Sequence, residues 1–109
     1  MDVSRYLPLA PRDLLILAII AEGPIHGYGL IKSVEERSNA GVLLDPANLY
    51  RVLRRMKDHK WIRIAADGSA RRRSFAITSL GRAVLAAELH RLEELLAQAR
   101  PALAEGETG

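Results

Sequence analysis

A chain of 109 residues, 49% apolar and 27% charged, suits one folded domain and excludes an intrinsically disordered protein. It has no cysteine, so disulfides and thiolate metal sites are excluded, and its longest apolar run, Leu14 to Ala21, is far short of the roughly 20 residues that cross a bilayer. The net charge of +3 hides an asymmetry: nine basic residues lie between Arg51 and Arg73 against Asp58 and Asp67, whereas from Val84 onward five glutamates face Arg91 and Arg100.

One end of the molecule is therefore expected to meet an anion and the other is not. No basic-then-apolar leader is read in Met1 to Pro11, and the expected location is cytoplasmic, with no membrane partner.

In chain order, residues 1–11 predict an extended arm that offers Tyr6, Leu7 and Leu9 for packing. A first helix is predicted from about Arg12 to Glu22. Its apolar residues Leu14, Leu15, Leu17, Ala18, Ile19 and Ile20 cover nearly the whole circumference, which places it in the core. Gly23-Pro24 stops it. A second helix from about Gly27 to Arg37 carries Leu30, Ile31 and Val34 at inward spacing and ends at Asn39-Ala40-Gly41.

Asp45-Pro46 then marks a helix start, with a carboxylate at the N-cap and proline at the first helical position. The third helix, Pro46 to about His59, puts Leu49, Val52, Leu53 and Met56 on one stripe. Two strands are predicted at Trp61 to Ala65 and Arg73 to Ile77, with Phe75 and Ile77 on one face and an Asp67-Gly68 turn between the strands. A last helix, capped by Thr78 or Ser79, is expected to reach about Arg100, where Pro101 discourages continuation. The tail from Glu105 is expected to be disordered.

The third helix carries the chemistry. Opposite its apolar stripe it presents Ala47, Arg51, Arg54 and Asp58, flanked by Tyr50 on one side and Asn48 and Arg55 on the other. Arginine can bond guanine through two donors, asparagine can read adenine, and both can hold phosphate. By itself such a face is more often a solvated basic surface. What shifts the reading is the hairpin that follows, with Arg71, Arg72 and Arg73 in consecutive positions that alternate across a strand. A basic helix followed by a basic hairpin points to double-stranded DNA. The fold class expected is mainly α with a small β-hairpin, a winged helix-turn-helix plus a long C-terminal helix.

The segment Glu22-Gly23-Pro24-Ile25-His26-Gly27-Tyr28-Gly29-Leu30-Ile31 resembles the EGPLHGYEI signature of the PadR family of transcriptional regulators. Asp45 to Met56 is similar to that family's SPGTLYRVLRRL segment, and Arg72 to Gly81 resembles its RRKYYRLTEEG wing strand and helix start. The match runs in the same order from about Leu14 to Leu89.

The resemblance implies a dimeric, usually repressing regulator that binds a roughly palindromic operator and is often released by a small-molecule effector. Carried over by position, it implies DNA contacts at Tyr28, Asn48, Tyr50, Arg51, Arg54 and the wing arginines. Three departures stand out: Lys60 where the family has glycine after the third helix, Gly29 where an acidic residue is usual, and Ser74-Phe75 in place of an aromatic pair.

In the last helix Leu85, Leu89, Leu92, Leu96 and Ala99 recur at alternating spacings of four and three, the seam of a coiled coil. Its first turn is expected to cover the domain's own core and its second half to meet a second copy. The division expected is arm 1–11, DNA-binding domain 12–78, dimerisation helix 79–101 and tail 102–109.

His26, His59 and His90 show no metal-ligand spacing, and His26 reads as a structural hydrogen-bonding residue. No nucleophile stands with a base, and the glycines form no phosphate loop, so neither an enzyme nor a cofactor is expected. Trp61 reads as a packing aromatic with a possible second use lining an effector pocket. The rival reading is a winged-helix module that binds an acidic protein instead of DNA.

Overall fold

The computed structural model describes residues 2–65 and 73–108. The expected Asp-Gly turn, with Arg71 and Arg72, lies outside the described residues.

The arm is folded rather than extended. Ser4–Tyr6 forms a 3-10 turn, held by the Ser4 backbone N–H donating to Asp2 Oδ1 at 2.9 Å. Val3 is buried, and Tyr6, Leu7 and Leu9 pack against the core. Helix α1 follows at Pro11–Ala21, with proline in its first turn, and Ile16, Leu17, Ile19 and Ile20 are buried.

A two-residue strand, β1 (Ile25–His26), leads into α2 (Gly27–Arg37). Two residues are too few to show a period, so this strand was not legible in the sequence. It exists because β3 (Ser74–Ile77) offers it an edge. Ile25 pairs with Phe75 and His26 with Ser74, while β2 (Ile62–Ala65) pairs antiparallel on the other side, Ile62 to Ile77 and Ala65 to Ser74. The sheet is thus three-stranded, in the order β1-β3-β2, not a lone hairpin. The central position of β3 also removes the expected alternation: Ser74, Phe75 and Ala76 are all buried, with Ile77 half-buried.

Helix α3 (Pro46–Asp58) starts as its residues dictate. The Asp45 side chain accepts from the Asn48 backbone N–H, a bond that satisfies one of the helix's unpaired first-turn donors. Its far end closes with two reverse bonds, Trp61 N–H to Met56 O and Lys60 N–H to Lys57 O, both 2.9 Å. This is the Schellman arrangement, and it puts Lys60 at a φ of 66°, where glycine is favoured. The glycine-type cap is therefore made by a lysine, held there by the burial of Trp61 and Ile62 just beyond.

Thr78 caps the last helix, α4 (Ser79–Thr108). Its Oγ1 accepts from the Gly81 backbone N–H at 3.0 Å and donates to the carbonyls of Lys60 and Trp61. Gly81 is obligatory there, because a Cβ would lie 2.1 Å from the Trp61 carbonyl oxygen. The helix continues through Pro101 to Thr108 instead of ending near Arg100. Proline removes the bond to the Ala97 carbonyl and its ring crowds that carbonyl, but the surrounding residues from Glu93 to Ala104 are all exposed, so the helix has room to adjust. Water can take that carbonyl, and no packing is disturbed.

One tie joins the arm to α4. Glu88 is 1% exposed, and it accepts from the Leu9 backbone N–H at 2.7 Å and from Arg91 Nη2 at 2.9 Å. The Arg91 guanidinium holds this carboxyl below its ordinary range, against burial, which acts the other way.

Lys60→Gly relieves the left-handed backbone and should stabilise the fold by about 1 kcal/mol, read as a higher urea midpoint. Because the folded pKa of Glu88 is depressed, its contribution is complete above the ordinary carboxylate pKa and is lost as pH falls through the depressed one. Urea midpoints measured between neutral and acid pH should therefore fall more for the native chain than for Glu88→Gln.

Candidate nucleic-acid interface

Helix α3 is divided cleanly by burial. Leu49, Val52, Leu53 and Met56 are at most 2% exposed, seated against α2 and β2. That seating turns Ala47, Tyr50, Arg51, Arg54, Lys57 and Asp58 into solvent. Among the described residues, neither Arg51 nor Arg54 forms an ion pair. Both guanidinium groups are available to an anion.

Arg55 departs from expectation. Its Nη2 bonds Asp13 Oδ2 of α1, and Asp13 is also reached by Arg12 Nε at 3.3 Å. The Asp13 side chain is 9% exposed, so its charge needs that partner, and Arg55 anchors α3 to α1 instead of standing free. Sequence reasoning missed the pair because its members lie 42 residues apart and Asp13 carries no local signal beyond a first-turn carboxylate.

Asn48 is half-buried and joined on both sides. Its Nδ2 donates to Asp45 Oδ2 at 2.8 Å, and its Oδ1 accepts from Arg51 Nη1 at 3.4 Å. The two exposed tyrosines flank the joint between helices. Tyr28, in the first turn of α2, is 78% exposed and Tyr50 is 60% exposed. The Tyr50 hydroxyl comes within 3.8 Å of where a Cβ on Gly27 would lie, so it sits over the start of α2. Arg73 is exposed at the entry to β3, and Arg63 is exposed on β2.

On α4, Val84 and Glu88 face the domain's own core, and Leu85 is partly spent on it as well. Leu92 is half-buried, while Leu89, Leu96 and Ala99 are exposed. Because the helix passes Pro101, the stripe reaches Leu103, 76% exposed and four residues beyond Ala99. Past Leu92 the stripe has no cover among the described residues.

Residues 16–87 match the transcriptional regulator PadR-like family along most of the chain. The chain belongs to the PadR-like family. This is a family of transcriptional regulators and not of enzymes. The chain is 34% identical over 83 residues to an uncharacterized 37.1 kDa protein in a Streptomyces fradiae transposon. Those residues are 76% of this chain, but only 23% of that relative's length.

Two solved structures share the fold. A PadR family transcription regulator from Clostridium difficile superposes with a TM-score of 0.66 at 23% identity, covering 82% of this chain and 97% of that one. A transcriptional regulator from Clostridium thermocellum gives 0.70 at 21% identity, covering 83% and 87%. The winged-helix architecture expected from the sequence is therefore present.

The departures from the PadR signatures each have a physical setting. A Cβ on Gly29 would lie 3.1 Å from Ile25 Cγ1, tighter than ordinary contact, so the small residue here matches the close approach of Ile25. Ser74 is buried, with its hydroxyl 3.1 Å from His26 Nδ1, a polar tie between β3 and β1. His26 is thus a structural hydrogen-bonding residue, as its position suggested.

Trp61 is buried and packs with Tyr6 and His59 at ring-centroid distances of 5.2 and 5.0 Å. These three rings border an open cleft of about 660 Å³, shared with Arg5, Leu9, Asp13 and Arg55. No helix of the described residues is long and apolar enough to cross a membrane.

Proposed function

We propose that this PadR-like chain acts as a homodimeric repressor that binds a palindromic DNA operator. The observation that carries the reading is the cationic outer face of α3, where Arg51 and Arg54 stand exposed and without ion-pair partners among the described residues. In this reading α3 enters the major groove. Tyr28 and Tyr50 contact the backbone where α2 meets α3, and the wing arginines, Arg71, Arg72 and Arg73, hold phosphates or the neighbouring minor groove. Arg55 is left out of the contact set, since its guanidinium is committed to Asp13.

The second copy joins through the α4 stripe of Leu89, Leu92, Leu96, Ala99 and Leu103. An exposed apolar stripe on a helix that outruns its own domain is most simply covered by its symmetry mate. Two-fold symmetry would set the α3 helices roughly 34–36 Å apart, one turn of DNA. The small-molecule release that the resemblance implies would act through the cleft at Tyr6, His59 and Trp61, which touches the arm, α1 and the end of α3.

Anisotropy titrations of a labelled duplex over several salt concentrations test the DNA surface. Arg54→Ala and Arg73→Ala should each flatten the slope of log K against log salt by about 0.9 and weaken all sequences alike. Unchanged binding by both variants would move the interface elsewhere. For the dimer, Leu92→Glu should sediment as a monomer while keeping its helical circular dichroism; a persisting dimer would exclude the α4 seam.

A further inference from the structure

Arg51, Arg54 and Arg55 lie within five residues on α3, yet the structure treats them differently. Arg55 is tied to Asp13. Arg54 has no side-chain bond among the described residues to hold it. Arg51 is aimed from its own helix, through Asn48 and Asp45. These three residues are spaced by three, so they stack along one face of the first two turns. We infer that Arg51 is the residue that selects guanine and that Asn48, which sequence reasoning offers as an adenine reader, is its positioning residue.

The chemistry of the three groups forces the arrangement. The Asp45 carboxylate can only accept, and it takes both the backbone N–H and the side-chain Nδ2 of Asn48, at 2.9 and 2.8 Å. An amide that turns its nitrogen toward Asp45 must turn its oxygen the other way. A guanidinium can only donate, so Arg51 Nη1, 3.4 Å away, must meet an oxygen. Both neighbours therefore demand the same amide orientation, and the reverse one would set oxygen against carboxylate and nitrogen against guanidinium.

Reading adenine requires the asparagine to show its oxygen and its nitrogen together to one base edge. Asn48 has one amide proton on Asp45 and one oxygen lone pair on Arg51, so two side chains, not a base edge, set the plane and direction of its amide. Arg51, in contrast, commits one of five donors and keeps the rest for the O6 and N7 acceptors of guanine. For this selection the network must persist as the helix docks, so that a direction chosen before binding is delivered to the groove.

This inference rests on the DNA-binding reading, and the experiment separates the two. The full-length protein would be used to select sites from randomised duplexes. Anisotropy would then compare the selected duplex with each single base change. Arg51→Ala should abolish a roughly ten- to hundredfold guanine preference at one base pair of each half-site. Asn48→Ala should reduce the preference at that same base pair and at no other, and the double variant should be no worse than Arg51→Ala.

Asp45→Ser supplies the control for helix capping. Serine keeps the bond to the Asn48 backbone N–H but loses the second acceptor, so it should match Asn48→Ala in base preference with helical circular dichroism unchanged. Loss of adenine preference at a different base pair in Asn48→Ala would overturn the relay, as would a guanine preference that survives Arg51→Ala. Absence of duplex binding by the native protein would instead overturn the DNA reading itself.

Discussion

The seating of one apolar stripe governs the molecule. Leu49, Val52, Leu53 and Met56 are buried on the inner side of α3, and their burial dictates which way the opposite side faces. Truncating Leu49, Leu53 or Met56 to alanine is of the order of 2–5 kcal/mol, a large part of the roughly 5–15 kcal/mol that holds a domain of this kind together. The arginines on the outer face contribute little to that sum. They are presented because the leucines, valine and methionine are hidden, so a single helical period serves both stability and the interface.

Two buried carboxylates then bind the parts into one body. Asp13 ties α1 to α3 through Arg55, and Glu88 ties the arm to α4 through the Leu9 backbone N–H. Each would be costly to bury alone, and each is tolerated because a guanidinium and further donors meet it. In our reading they together connect the helix that faces DNA to the helix that faces a second copy. The aromatic cleft lies on the same route, with Arg55, Asp13 and Leu9 on its border.

Helix α4 shows how an element can serve two surfaces in succession. Its first turns give Val84 and Glu88 to the domain core, and beyond Leu92 it runs on with every described side chain in solvent. Lone exposed leucines are ordinary, but a stripe kept in register from Leu89 to Leu103 is a surface waiting for a match. That register survives Pro101, which breaks a hydrogen bond without breaking the helix.

Short-range chemistry was legible in the residues alone. Asp45-Pro46 marked the start of α3, Thr78 or Ser79 marked the start of α4, the 3.6-residue period separated the inner and outer faces of α3, and the family signatures named the architecture. What the sequence could not show depends on partners far along the chain. Strand β1 exists only because β3 arrives 48 residues after His26 to pair with it. Arg55 looked free until Asp13, 42 residues earlier, claimed it, and Glu88 gained its role from a backbone N–H 79 residues away. Lys60 keeps a glycine's backbone because Trp61 and Ile62 are buried beside it. The sequence determined the local elements and their charged faces, since those follow from near neighbours. Tertiary structure decided which charges remained for a partner, since an ion pair is made only when folding brings its members together.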